Sequence, residues 1–287
     1  MPGPNEIRRH ISAVGQTKKI TGAMEMVSSN RMHHVMSHIE QNRVYFTNIR
    51  RTMKELLLLS QDISHPFLDE RPRHHTTFVV ISGDKGLCGS HNSSVLNYAL
   101  GRLKETPGSS LITLGNTAED FFHTKGIIPD INLLGIVQDP TLEKAREVAG
   151  VLTNLYENEL SDDIRIIFVS FYGKSKCKPV EFSILPVRLH DYADVGDAES
   201  LTEIMYHPSA QTVFDIMVPQ YTIGLVFGVM VQAYASEHFA RMTAMHSATT
   251  NAQEMLDDLR IRYNLARQSA ITNEIAEIMG GADLVRS

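Results

Sequence analysis

Between Pro4 and Pro66 the chain has no proline, and apolar residues recur at Ile7, Ile11, Val14, Ile20, Met24, Val27, Val35, Ile39, Phe46, Ile49, Met53 and Leu56. Steps of three and four dominate, the spacing of one face of a helix. About 55 residues at ~1.5 Å each make a rod of roughly 80 Å. No compact domain hides such a helix alone, so it needs a long partner. One stands at the other end of the chain. Ile223, Phe227, Met230, Tyr234, His238, Met242, Met245, Ala248, Ala252, Met255, Leu259, Tyr263, Ala266 and Ala270 keep the same spacing for about seven heptads. This seam is rich in Ala, Met and polar groups, which pack closely but weakly. Pro219 is expected to kink or delay the start of the second helix, and Gly280-Gly281 to end it.

The middle of the chain has a different rhythm. Thr76–Ile81 is a buried-strand run closed by Ser82-Gly83-Asp84-Lys85-Gly86, and a helical stretch follows from Ser93 to Lys104. A strand at Ser110–Gly115, a helix near Thr117–Thr124 and a weaker run near Ile131–Leu134 come next. Thr141–Leu160 reads as helix, Ile164–Phe171 as strand, and Val180–Leu185 as a further candidate strand. Alternating strand and helix argues for a mostly parallel sheet with helices on its faces. The fold class expected is α/β: a long antiparallel coiled coil of N- and C-terminal helices with an inserted Rossmann-like α/β domain. The segments divide as 1–60, 61–208 and 209–287.

Composition narrows the function. The 287 residues are 43% hydrophobic and 21% charged, an ordinary globular balance that excludes wholesale disorder. A net charge of −6 argues against a generic nucleic-acid binder. The charge is uneven, with a balance of +5 over 1–60, −8 over 61–208 and −3 over 209–287, so two surfaces with different partners are expected. Cys88 and Cys177 are too few for a disulfide framework, and both are expected as free thiols. The opening Met-Pro-Gly-Pro has no basic-then-apolar segment, so no secretory signal is read there.

Candidate chemistry is sparse. Glycines at 83, 86 and 89 sit between a strand and a helix, where phosphate loops occur, but they fit neither Gly-x-Gly-x-x-Gly nor a P-loop. A tight strand-to-helix crossover is the simpler reading. His34 and His38 share a helix face beside His33, yet a metal site wants three or four ligands and an ordered second shell. A solvated or partner-facing patch suits them better. Ile216 to Ser236 is free of charge and includes Gly224-x-x-x-Gly228, long enough to span a bilayer. The helical stripe continues past Glu237 without a break, so a buried helix is preferred over a membrane span. No nucleophile–base set, carboxylate pair or cofactor loop is assigned.

The terminal strings carry a resemblance. Ile7-Arg8-Arg9-His10-Ile11-Ser12-Ala13-Val14 and Thr17-Lys18-Lys19-Ile20-Thr21-Gly22-Ala23-Met24-Glu25-Met26-Val27 resemble the opening helix of the γ subunits of F-type ATP synthases. Ala235-Ser236-Glu237-His238-Phe239-Ala240-Arg241-Met242-Thr243-Ala244-Met245 resembles that family's most specific string, and Tyr263–Ile275 and Glu277–Gly281 follow in the family's order. Asp84-Lys85-Gly86-Leu87-Cys88-Gly89 resembles its crossover turn. The resemblance implies a non-catalytic rotor shaft without a cofactor of its own. Its partners would be the α and β subunits of a catalytic ring, the ε subunit and the membrane ring of c subunits. It would couple proton or sodium flow to ATP synthesis or hydrolysis at β. It would lie peripherally on the cytoplasmic face of a bacterial plasma membrane.

The matched contact positions are Lys18, Lys19 and Met24 on the first helix and Arg241, Gln268, Thr272 and Glu274 on the last. Departures are Gly22 where the family usually has Lys, Ser28–His34 in place of an Ala-rich stretch followed by Lys and Arg, and Gly89-Ser90-His91-Asn92 in place of a Gly-Gly-Leu-Asn-like sequence. The alternative is a Rossmann-like nucleotide-dependent enzyme that dimerises through its terminal helices; the absent glycine fingerprint counts against it.

Overall fold

The computed structural model describes residues 3–59, 63–68, 71–72, 75–171, 177–188 and 206–286, with side chains at all of these except 37–46, 57, 59, 277 and 280–286. Helix α1 runs Pro4–Leu59. A 3-10 turn at Pro66–Leu68 leads to β1 (Thr76–Ile81), α2 (His91–Glu105), β2 (Ser110–Leu114), α3 (Asn116–Thr124), β3 (Ile131–Leu133) and α4 (Leu142–Glu157). Then come β4 (Asp163–Phe171), β5 (Cys177–Leu185) and α5 (Ala210–Arg286). Two compact units result: Met1–Ser29 with Arg241–Ser287, and Asn30–Ala240.

In the larger unit the sheet has the order β3-β2-β1-β4-β5. Strands β1 to β4 pair in parallel, and β5 returns antiparallel along β4. The central strand reads Thr-Thr-Phe-Val-Val-Ile because both of its faces are covered. Phe78 and Val80 point to a cluster with Val95, Leu96 and Ala99 of α2 and Ala118 and Phe122 of α3. Val79 and Ile81 point the other way, into a larger cluster with α4, with Met53 and Leu56 of α1, and with Phe214 to Ala235 of α5. The charge-free run 216–236 is therefore mostly a core helix, although α5 is apolar and long enough to cross a membrane by composition alone.

Two sequence expectations about the bounds of α5 need correction: Pro219 does not delay its start, and Gly280-Gly281 does not end it. The helix starts at Ala210, ahead of Pro219, and contains it. Pro219 and Asp215 are both exposed, so the carbonyl one turn back that loses its N–H partner can be met by water. The helix also continues through Gly280-Gly281 to Arg286. Each glycine lowers helix propensity by about 1 kcal/mol, which does not by itself end a helix.

Glycine is required at one turn and closely approached at another. Gly115 has φ +100°, and a Cβ there would lie 2.3 Å from the Ser82 carbonyl oxygen. At Gly83 the carboxyl end of Glu237 comes within 2.8 Å of where a Cβ would be, so a larger residue would require that side chain to shift. Gly22, in the middle of α1, meets nothing within 4 Å.

An ion-pair chain ties α2 to the antiparallel edge. Arg102 Nε donates to Glu181 at 2.6 Å, Arg165 donates to Glu181, and Arg165 Nη2 lies 2.6 Å from the fully buried Asp163. Burial pushes the Glu181 carboxyl up, but hydrogen bonds from Arg102 and Arg165 outweigh it and hold the group below its usual range.

Two outcomes follow from this packing. Gly22→Ala should raise stability by about 1 kcal/mol in denaturant unfolding, since the added methyl meets open space inside a helix. A carboxyl whose folded pKa is depressed stabilises the protein above its unfolded pKa of about 4.3, and that contribution is lost as pH falls through the folded value. Glu181→Gln should therefore be destabilised at neutral pH and lose less further stability in acid than the parent. A parallel acid limb in the two proteins would contradict this.

Candidate functional site

In the smaller unit, α1 and α5 meet as an antiparallel pair. Lys18 Nζ donates to Gln253 at 2.5 Å, Thr249 Oγ1 donates to Thr21 Oγ1 at 2.8 Å, and His246 Nδ1 lies 2.9 Å from Glu25. Partners on α5 fall in number as those on α1 rise, as antiparallel helices require. The buried α1 positions are Ile7, Thr21 and Ser28, spaced in sevens with half-buried Val14 between them. On α5 the buried positions are Arg241, Met245, Ala252, Leu256 and Leu259. The seam is thus partly polar.

The phase of that seam differs from the sequence expectation. Ile20 and Val27, assigned to the buried face, are 60% and 52% exposed, and Met255 and Ala270 are also exposed. Periodicity fixes the spacing of a stripe, whereas the partner helix chooses which stripe it covers. Here α5 takes the face carrying Thr21 and Ser28, which can bond across the pair. The side chains of Ile39 and Phe46 lie outside the described residues.

Both helices consequently carry a second, outward apolar face. On α5, Ile261, Leu265, Gln268, Thr272, Ile275 and Met279 follow a four–three spacing on the side opposite Ala252 and Leu259, and all six are exposed. With Lys18 opposite Gln253, the last turns of α5 lie past Pro4, where helix α1 starts among the described residues. A helix that is apolar on two faces is normally enclosed on both.

The expected contact residues fall into three groups. Lys19, Gln268, Thr272 and Glu274 are exposed, and Thr272 Oγ1 donates to the Gln268 carbonyl at 2.9 Å. Lys18 and Met24 are half-buried, with Lys18 committed to Gln253. Arg241 is only 8% exposed, so its guanidinium presents little surface. His33 and His34 are exposed, and the His38 side chain lies outside the described residues. Among the described residues no three His, Cys, Asp or Glu side chains gather as metal ligands.

The larger unit holds a polar cluster that spacing did not reveal. Strand order reverses at β1 and β4, and in open parallel sheets ligands occupy the crevice outside the carboxyl ends at such a point. Here α5 lies across it. Ser236 Oγ donates to the Val169 carbonyl at 2.7 Å, Ser170 Oγ donates to Gln232 at 2.9 Å, and Phe171 and Phe239 meet edge-on at 5.4 Å. On the β1 side, Asn92 accepts from Gly83 N at 3.0 Å and Glu237 packs against Gly83. The crossover turn is a seat for α5. Cys88 is buried in that turn and Cys177 opens β5; neither is in a disulfide, and burial pushes the Cys177 thiol up.

Known proteins with this arrangement are similar along nearly the whole chain. A family described as ATP synthase matches residues 4–285. The ATP synthase gamma chain of Heliobacterium modesticaldum is 33% identical over 286 residues, 98% of this chain and 99% of that one. That of Symbiobacterium thermophilum is 35% identical, over 98% of this chain and 97% of its own. Among solved structures, the Euglena gracilis mitochondrial ATP synthase, OSCP/F1/c-ring in rotational state 3, gives a TM-score of 0.69 at 17% identity, covering 98% of this chain and 94% of that one. The central stalk/c-ring of Tetrahymena thermophila mitochondrial ATP synthase gives 0.61 at 22% identity, covering 80% and 99%. At these identities the structures speak for the fold.

The polar seam makes a measurable claim about the pair of helices. Thr21→Val and Thr249→Val should each cost about 1 kcal/mol, because each leaves a hydroxyl in the seam without its cross-helix partner. The double variant should lose less than the two single losses combined, since an apolar pair of similar shape replaces both. Strict additivity in chemical denaturation would show that the bond does not couple them.

Proposed function

This chain belongs to the ATP synthase γ-chain family, and from that premise we propose that it is the central-stalk rotor subunit of an F-type ATP synthase. It couples proton or sodium flow through a membrane c-ring to ATP synthesis or hydrolysis at the β subunits and has no catalytic site of its own. Its partners are the α and β subunits of the ring, the ε subunit and the c-ring. Its place is peripheral, on the cytoplasmic face of a bacterial plasma membrane, a reading supported by bacterial relatives of full length. Segments 1–60 and 209–287 form the shaft, and 61–208 the part that meets ε and the c-ring.

One observation carries this reading: the outward apolar face of α5 from Ile261 to Met279, which no described residue of the chain covers. A ring that encloses the end of α5 would cover that face. Within the ring, Gln268, Thr272 and Glu274 meet its loops, while Lys19 and Met24 meet the moving loops of β, where the basic first segment suits acidic partners. Arg241, being buried, acts by holding α5 in place, and Lys18 by its bond to Gln253. Each β conformation is favoured by the shaft face it meets, so turning the shaft shifts populations among nucleotide-binding states.

The chain alone should hydrolyse no ATP, and adding it to α and β subunits should give cooperative hydrolysis by the ring. Ile275→Asp together with Met279→Asp lies on exposed helix surface, so the chain's own stability should stay within about 0.5 kcal/mol. ATP-driven pumping in reconstituted vesicles should nevertheless be lost. Robust turnover by the purified chain, or normal pumping by the double variant, would overturn the reading.

A further inference from the structure

The buried cluster at the crossover turn fixes a proton count. Asn92 Oδ1 accepts from Gly83 N at 3.0 Å, while its Nδ2 donates to the Lys85 carbonyl at 3.2 Å, so this amide cannot be turned over. His91 Nδ1 lies 3.1 Å from the same Oδ1, an oxygen that only accepts. Nδ1 must carry the proton. At the other end of the ring, Nε2 lies 3.1 Å from Ser236 Oγ. That hydroxyl is 2.7 Å from the Val169 carbonyl oxygen and 2.9 Å from that of Ala233. Two oxygens approach to 2.7 Å only with a proton between them, and a serine has one. Ser236 therefore gives its proton to a carbonyl and has only a lone pair for His91. Nε2 must carry a proton as well.

We propose that His91 is held as an imidazolium and is the positioning residue that pins α5 to the carboxyl end of the sheet, joining the rotor's α/β domain to its shaft helix. The proposal rests on the rotor reading for its role, though not for its chemistry. His91 is 6% exposed, and a buried cation needs a counter-charge. Glu237, the residue after Ser236, is 7% exposed and lies against Gly83, whose N–H shares Asn92 Oδ1 with the ring. Charged and titratable groups around it include Glu237 and His238 on α5 and Asp84, Lys85 and Cys88 on the turn, while β4 offers Val169 and Ser170 and α3 offers Thr117; Arg31 and Asp139 act with Glu237 on Tyr234, one turn back along α5. As the first residue of α2, His91 sits where the helix dipole disfavours a cation, and the Glu237 carboxylate opposes that effect. A histidine whose folded pKa is raised stabilises the fold below its unfolded value of about 6.5, and that contribution fades as pH rises through the folded value.

The test begins with the full chain carrying isotope-labelled histidine, with His91 assigned by its loss in His91→Gln. Nuclear magnetic resonance should find both ring nitrogens of His91 protonated at neutral pH. In Ser236→Ala the Nε2 acceptor is gone, and the titration of His91 should move to lower pH. A bare nitrogen on His91 at neutral pH, or an unmoved titration in Ser236→Ala, would overturn the assignment. In the assembled complex, His91→Gln, which keeps a polar side chain but no charge, should keep ATP hydrolysis by the ring yet pump less per ATP hydrolysed. The parent's pumping ratio should also fall as pH rises through the His91 titration, a step missing in the variant. Equal ratios and equal pH profiles would remove the positioning role. If His91→Gln does not assemble, Ser236→Ala is read in the same way. Failure of the rotor reading has a separate signature, ring hydrolysis indifferent to the parent chain, and leaves the resonance result standing.

Discussion

A helix that crosses the end of a parallel sheet has to satisfy two opposite demands. Along the sheet face it must be apolar, and where it meets the strand ends it must supply hydrogen-bonding groups to backbone that would otherwise be buried without partners. Helix α5 meets both within about thirty residues. From Phe214 to Ala235 it is core, and at Ser236 and Glu237 it turns polar at the place where Val169 and Gly83 lie. The rest of the larger unit depends on this seat. The carboxyl end of Glu237 packs onto Gly83, so the crossover turn closes on a helix. A sheet of nucleotide-binding topology has thereby become a mounting.

The smaller unit is held by a different kind of contact. Its seam alternates apolar residues with Thr21, Ser28, Lys18 and Gln253, so pairing is specified by hydrogen bonds as much as by buried area. Polar groups in a seam cost stability and fix register, because any slip leaves them without partners. A pair that must keep its register under load gains from that exchange. It also leaves apolar residues such as Ile20, Val27, Ile261 and Ile275 for the outside.

Much of this was legible in the sequence. The long terminal helices, the strands from Thr76, Ser110, Ile131 and Ile164, and the parallel sheet with helices on both faces follow from periodicity, because burial imposes periods of two and three to four. The phase of the coil was not legible. Apolar residues mark a face that something must cover, and in Ile20 and Val27 that something is not α5, which instead covers Thr21 and Ser28. The same blindness hid the cluster around His91, whose members belong to α2, β1, β4 and α5 and come together only through the strand order. A Ser-Glu-His triplet closing a long charge-free helical run was the available signal, since helix does not become polar in a buried stretch without a reason. Lys18, Met24 and Arg241 were visible as positions matching a family, but their half-buried or buried state depends on which face α5 covers.

Under the rotor reading, the two outward faces have unequal tasks. Burying an isoleucine is worth about 1.5–3 kcal/mol, so the stripe from Ile261 to Met279 can supply a large gross affinity for an enclosing ring. Affinity that is the same at every angle contributes to assembly and nothing to coupling, because only a difference between states moves a population. An apolar sleeve around a round helix end is nearly uniform in this sense. The angular difference has to come from groups that bond in one orientation and not in another. Those are Lys19 on α1 and Gln268, Thr272 and Glu274 on α5, all directional and exposed. The weakly polar, partly apolar character of the coil is thus a division of labour, with apolar surface holding the axis and a few polar side chains distinguishing its angles.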